Sequence, residues 1–189
     1  MKAQRTQMNT ERTERIVGRM LAGLSVVAAC AMHPAQAQTQ APPPCASAES
    51  RQFDFWVGPW EARSTSNGKE SVSRNTITKI LGDCVIFENF QGGSGSPLNG
   101  MSHSVYDKQA GKWKQTWVDN NAAYLDFVGE FKDGRMVLSR TASKDGKAFL
   151  QRMVWYDIKP DQFLWNWERS DDDGKSWQVI WKIDYRRAK

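Results

Sequence analysis

Histidine and cysteine are scarce in this chain: 2 His and 3 Cys in 189 residues. A zinc site needs three or four Cys, His or acidic ligands, and Cys45 and Cys84 show no metal-ligand spacing. Haem needs an axial His in an apolar pocket, and outside the leader described below only His103 could serve. On an extended strand His103 shares a face with Met101, Val105 and Asp107. Ser102 and Ser104 then point the other way, a poor geometry for a nucleophile and its base. No G-x-S-x-G elbow occurs, and Gly92-Gly93-Ser94-Gly95-Ser96 reads as a loop. His103 is therefore expected to be packed or solvated, and no metal, cofactor or catalytic residue is assigned.

Long apolar runs are missing too. None reaches the ~20 residues of a membrane-spanning helix. The apolar stretch at Met20–Met32 is shorter. It follows a basic region (Lys2, Arg5, Arg12, Arg15, Arg19) and precedes Ala35-Gln36-Ala37, an A-x-A site. Residues 1–37 thus read as an export signal, and the protein as periplasmic or secreted. The competing reading is a lipobox at Val27-Ala28-Ala29-Cys30, which would anchor the protein to a membrane through Cys30. Without its five basic and two acidic leader residues the chain keeps 21 Lys+Arg against 19 Asp+Glu, a net charge of +2. Its only basic pair is Arg186-Arg187, so nucleic-acid binding is not supported.

What remains is well suited to a core. The hydrophobic content of 40% exceeds that of a disordered chain. Residues 38–50 are polar and Pro-rich and read as a linker before a domain at 51–189. Cys45 and Cys84, an even pair in an oxidising compartment, are expected to form one disulfide. Turn signals recur evenly, among them Ser66-Asn67-Gly68, Asp133-Gly134, Asp145-Gly146 and Asp173-Gly174. Between them lie runs of β-branched and aromatic residues with no 3.6-residue stripe. The pattern predicts an all-β fold, an antiparallel up-and-down barrel of about ten strands, lipocalin- or calycin-like. A short helical turn at 49–57 is expected to close one end.

Alternation places Trp177, Val179, Trp181, Ile183 and Tyr185 on one face of the last strand, with Ile180 as the exception. Phe163, Trp165 and Trp167 share a face one strand earlier. On the fifth strand Trp113, Gln115, Trp117 and Asp119 share a face, mixing aromatic with polar side chains. A core packed only for stability avoids Gln and Asp, so a Trp-lined small-molecule cavity is expected. Its polar residues would be Glu88, Ser102, Ser104, Tyr106, Gln115 and Arg152. Its aromatic walls would include Trp113, Trp117, Trp155 and Trp165.

Gly58-Pro59-Trp60 opens the first strand. In lipocalin-like barrels such a Trp lies at the closed end under a basic residue of the last strand, here Arg186 of the Arg186-Arg187 pair, in a structural role. Ser170-Asp171-Asp172-Asp173-Gly174-Lys175-Ser176-Trp177 fits the Asp-box hairpin pattern S-x-D-x-G-x-[ST]-W, which is also structural. As a calcium loop it would carry Arg169 and Ile180 at ligand positions, and as a P-loop it lacks the first glycine and the helix. Among acidic residues in strands, Glu88, Asp119, Asp126 and Glu130 are open to pairing across a barrel.

Residues 51–187 resemble the bacterial family called domain of unknown function 1579. The resemblance rests on Arg51-Gln52-Phe53-Asp54-Phe55-Trp56-Val57-Gly58-Pro59-Trp60-Glu61, Gly82 through Glu88, Trp113 through Asp119, Asp133 through Leu138, and Trp167-Glu168-Arg169-Ser170 through Trp177. It implies an exported lipocalin-like barrel with no assigned activity. One departure is Ser104, where the family pattern G-x-S-x-N-x-Y-D has Asn. The family is also similar in outline to the haem-binding nitrobindins, whose axial His near the C-terminus has no counterpart here, so haem is not carried over. The functions expected are, in order, a small-molecule binding protein, an envelope accessory protein acting through its surface, and an enzyme using Glu88 or Asp119 as acid or base.

Overall fold

The computed structural model describes residues 43–66 and 68–189. The expected export signal and Cys30 lie outside the described residues. Ten strands follow one another: β1 (Gly58–Ser66), β2 (Lys69–Ile80), β3 (Val85–Gln91), β4 (Asn99–Asp107), β5 (Lys112–Asp119), β6 (Tyr124–Lys132), β7 (Arg135–Lys144), β8 (Lys147–Tyr156), β9 (Gln162–Ser170) and β10 (Gln178–Arg187). Each pairs antiparallel with its neighbours in sequence, and β1 pairs with β10, which closes the barrel. Closure leaves no sheet edge unpaired, the usual hazard of an all-β chain.

The turns are built from the residues expected there. At Asp133-Gly134 and Asp145-Gly146 both residues have positive φ, as a tight two-residue hairpin requires. Along β2 and β4 burial alternates strictly, with Ser73, Asn75 and Ile77 inside, then Gly100, Ser102 and Ser104. His103 therefore faces outward, exposed beside the Phe87 ring at 5.1 Å between centroids.

Two short 3₁₀ turns, Glu49–Arg51 and Asp54–Trp56, lie ahead of β1 and close one end. They deliver Phe53 and Trp56 into the interior. Phe53 is fully buried, edge-on to Trp113 at 4.8 Å and to Trp155 at 5.3 Å. Burying such a ring stabilises by about 2–3 kcal/mol. Cys45 and Cys84 form the expected disulfide, which joins this N-terminal segment to the β2–β3 turn. Residues 43–50, read from sequence as a linker, are thus fastened to the barrel. Ser50 is buried, and the Pro44 carbonyl accepts from the Lys108 ammonium.

Two expectations require correction. The residue over Trp60 is Arg187, not Arg186. Arg187 is the cross-strand partner of Trp60, and its guanidinium carbon lies 3.7 Å from the ring centre. Arg186 faces outward, to Asp184 and Gln162. The second concerns β10, whose alternation breaks at a bulge between Val179 and Trp181. A bulge inserts one residue and exchanges the faces. Trp181, Ile183 and Tyr185 line the interior as expected, whereas Val179 pairs with Glu168 on the outer face and is exposed.

Candidate functional site

Between the aromatic floor and the open end lies a cavity of about 260 Å³. Its walls are mainly indole: Trp117 from β5, Trp155 from β8, Trp165 and Trp167 from β9, and Trp181 from β10, with Trp56 below. The rings are held against one another, with Trp165 edge-on to Trp181 at 5.4 Å and to Trp155 at 6.3 Å. Phe90, Phe127, Met153 and Ile183 fill the gaps, and Leu98 leans in from the β3–β4 loop. The bulge residue Ile180 contributes here too, which explains an apolar side chain that does not fit the alternation of β10. One glycine makes room for a wall. Gly100 is buried, and a Cβ there would run into the Trp117 indole.

Three lining residues can ionise, Glu88, Asp119 and Tyr185. Glu88 is buried on β3. Its Oε1 accepts from the Asn75 amide at 2.7 Å, and its Oε2 from the Ser102 hydroxyl at 2.6 Å. Asn75 also donates to the Tyr185 hydroxyl at 3.1 Å. Burial pushes the Glu88 carboxyl up to about 7, against the lowering effect of these two hydrogen bonds. Burial, and then the nearby Glu88 charge, likewise raise the Tyr185 phenol. The Asn75 carbonyl oxygen is buried without a partner.

Asp119 behaves in the opposite way. Burial pushes it up, but the Trp117 indole N–H at 3.0 Å and the amides of Asn121 and Ala123 outweigh that, so it is held below the usual carboxylate range. It carries a charge and orients the wall residue Trp117. Asp126 and Glu130 lie exposed on the outer face. Of the four strand carboxylates, the barrel therefore brings only Glu88 and Asp119 to the cavity.

The other expected site residues divide. Trp117, Trp155, Trp165 and Glu88 line the cavity. Ser102 sits behind Glu88 as its donor. Ser104 and Gln115 are both buried but satisfy each other, with Gln115 donating at 2.8 Å. Trp113 is buried at the closed end, its indole N–H on Gln52 at 3.0 Å, and Tyr106 packs against its ring. Arg152 is on the outer face. It pairs with Glu168 at 2.6 Å and stacks on Trp177 of the β9–β10 turn at 3.8 Å. That turn has the Asp-box geometry: Asp172 accepts from Ser170, from the Ser176 amide and from the Ser176 hydroxyl. Asn75, Tyr185 and Trp181 were not singled out as site residues. For Asn75 a signal existed in the alternation of β2, which puts a polar amide on an inward position.

Compared with known proteins, the chain matches no family model and no curated protein.

Proposed function

We propose that this barrel binds a small, largely aromatic molecule in its Trp-lined cavity, and that it does so as an exported protein. The observation that supports this best is the cavity itself. Thirteen apolar side chains converge on it without filling it, and polar groups are few, the usual make-up of a small-ligand site. An apolar cavity of about 150 Å³ holds benzene, so about 260 Å³ suits a ligand of roughly 10 non-hydrogen atoms, or a few more where it reaches out through the open end. Export is supported by the disulfide, a bond that persists in oxidising compartments. Membership in the domain of unknown function 1579 family belongs to the same proposal and rests on the motif segments quoted above.

Native mass spectrometry of the protein isolated from its own cells is the test. A non-covalent adduct of about 130 Da, or a few tens of daltons more for a ligand that reaches the open end, is expected from the same volume scaling. Leu125→Trp, which adds bulk to the wall near the open end, should fold and lose the adduct. An adduct that survives in Leu125→Trp would place binding elsewhere. The absence of an adduct together with no saturable binding of small aromatic probes would overturn the reading.

A further inference from the structure

Every ionisable side chain that lines the cavity is an acid, and no Lys, Arg or His shares the lining among the described residues. Two arginines lie outside the lining. Arg140, on the β7 face that carries the buried Met136 and Leu138, lies 5.9 Å from the centre of the Phe127 ring and donates to Gln151 through Nη1, while its Nε is buried without a partner. Arg187 is at the closed end, over Trp60 and on the Val57 carbonyl. Glu88 itself is faced by Asn75 from β2, Ser102 from β4 and Tyr185 from β10, all uncharged. Its carboxylate has about four acceptor positions, of which these hydrogen bonds fill two. The cavity that Glu88 lines is also lined by six indoles, the side chain with the strongest attraction for a cation.

We propose that the ligand carries a basic nitrogen and enters as a cation, with Glu88 as its counter-ion and the indole faces as its cage. This rests on the reading of the cavity as a ligand site and specifies the ligand's charge. A neutral aromatic would fill the volume but, above about pH 7, leave the ionised Glu88 buried without a counter-charge, a costly arrangement. An anion would meet Glu88 and Asp119 together. A cation supplies what the apo site lacks. Its charge replaces the lost hydration of Glu88, and its N–H groups reach the unfilled acceptor positions. Cation binding should then favour the ionised carboxylate. Since burial holds the empty site's Glu88 at about 7, the protein should release a proton on binding below that pH.

The test is calorimetric titration of the disulfide-intact protein with three probes of nearly equal shape, tryptamine (cation), tryptophol (neutral) and indole-3-acetate (anion). At pH 8 tryptamine should bind about tenfold tighter than tryptophol, and indole-3-acetate at least about tenfold weaker, each factor reflecting one charge contact. The tryptamine preference should shrink towards pH 6 as Glu88 takes up its proton. At pH 6 tryptamine, but not tryptophol, should release up to one proton, seen as a dependence of the heat on buffer ionisation enthalpy. Glu88→Gln should lose most of the preference for tryptamine over tryptophol and all of its pH dependence, keeping only the part that the indoles supply. If that variant fails to fold, the pH dependence of the wild-type preference gives the same answer. Equal affinity of wild type for tryptamine and tryptophol would overturn the cation inference while the cavity reading stands. Failure of all three probes to bind would overturn both.

Discussion

At the residue scale the molecule distinguishes neighbours that look equivalent in sequence. Arg186 and Arg187 are adjacent arginines, yet only Arg187 points into the closed end. There it lies over Trp60, and its Nη atoms donate to the carbonyls of Val57 at 2.6 Å and Pro160 at 3.0 Å. Gly58 permits this approach: its φ is +122°, and a Cβ would run into the Arg187 guanidinium. Arg187→Ala removes the stacked cation and the donor to the part-buried Val57 carbonyl, so a loss of about 2 kcal/mol is expected. Arg186→Ala should cost no more than about 0.5 kcal/mol, as at an ordinary exposed position. Urea denaturation of the two variants checks the contrast. Glu88 is the other residue with a clear signature. Its pKa is raised on folding, from 4.5 to about 7, so the native state holds its proton more tightly than the unfolded chain. Its contribution therefore favours the native state at low pH and is lost as pH rises from about 5 through 7. At about 1.4 kcal/mol per pH unit the change amounts to about 3 kcal/mol. The urea midpoint of the ligand-free protein, followed from pH 5 to 8, should fall accordingly, and Glu88→Gln should flatten that slope.

At the scale of elements, β4 and β5 set the shape of the cavity through one glycine. Gly100 sits across from Asp119, and the Trp117 indole occupies the space a side chain on it would need. Gly100→Ala should push the indole into the cavity, leaving the barrel folded. Probe affinity is expected to drop by at least about tenfold, the consequence of losing about 1.4 kcal/mol of fit, and near-UV circular dichroism should report the moved ring. Gly129 on β6 presents a different constraint. A Cβ there meets the Val137 carbonyl of β7, which is backbone and cannot swing aside. Gly129→Ala should thus lower stability by about 1–3 kcal/mol, an overpacking cost, with the β6–β7 pairing as its site. Thermal denaturation separates the two cases: a small shift for Gly100→Ala and a large one for Gly129→Ala.

For the whole molecule the Cys45–Cys84 bond sets how firmly the closed end is held. It joins residues 39 apart in sequence and fastens the segment that carries Phe53 and Trp56 into the floor. Constraint of the unfolded chain by a loop of that length is worth about 4 kcal/mol. Reduction, or the Cys45→Ser/Cys84→Ser double variant, should lower the free energy of unfolding by about that amount, measured by extrapolation from urea. Because the floor also bounds the ligand cavity, probe binding should weaken in the reduced protein at temperatures where its floor has begun to loosen.

The fold was legible in the sequence because its determinants are local. Turn chemistry at Asp133-Gly134 and Asp145-Gly146, β-rich runs between turns and an alternating β4 depend on backbone sterics and a period of two. The Cys45–Cys84 bond was readable on a different ground, an even cysteine count in an oxidising compartment, which leaves one pairing. What alternation could not carry was the phase change at Ile180, because a bulge depends on the pairing with β9 and not on β10 alone. The same limit moved the Trp60 partner from Arg186 to Arg187 and put Arg152 outside, over Trp177. Which strand positions meet across a closed barrel is set by register and closure. The sequence by itself thus determined the strands, their order and the aromatic character of the interior. Only the tertiary structure decided that Glu88, Asn75, Ser102 and Tyr185, drawn from four strands, converge beside an indole-walled space, because that convergence requires the sheet to close on itself.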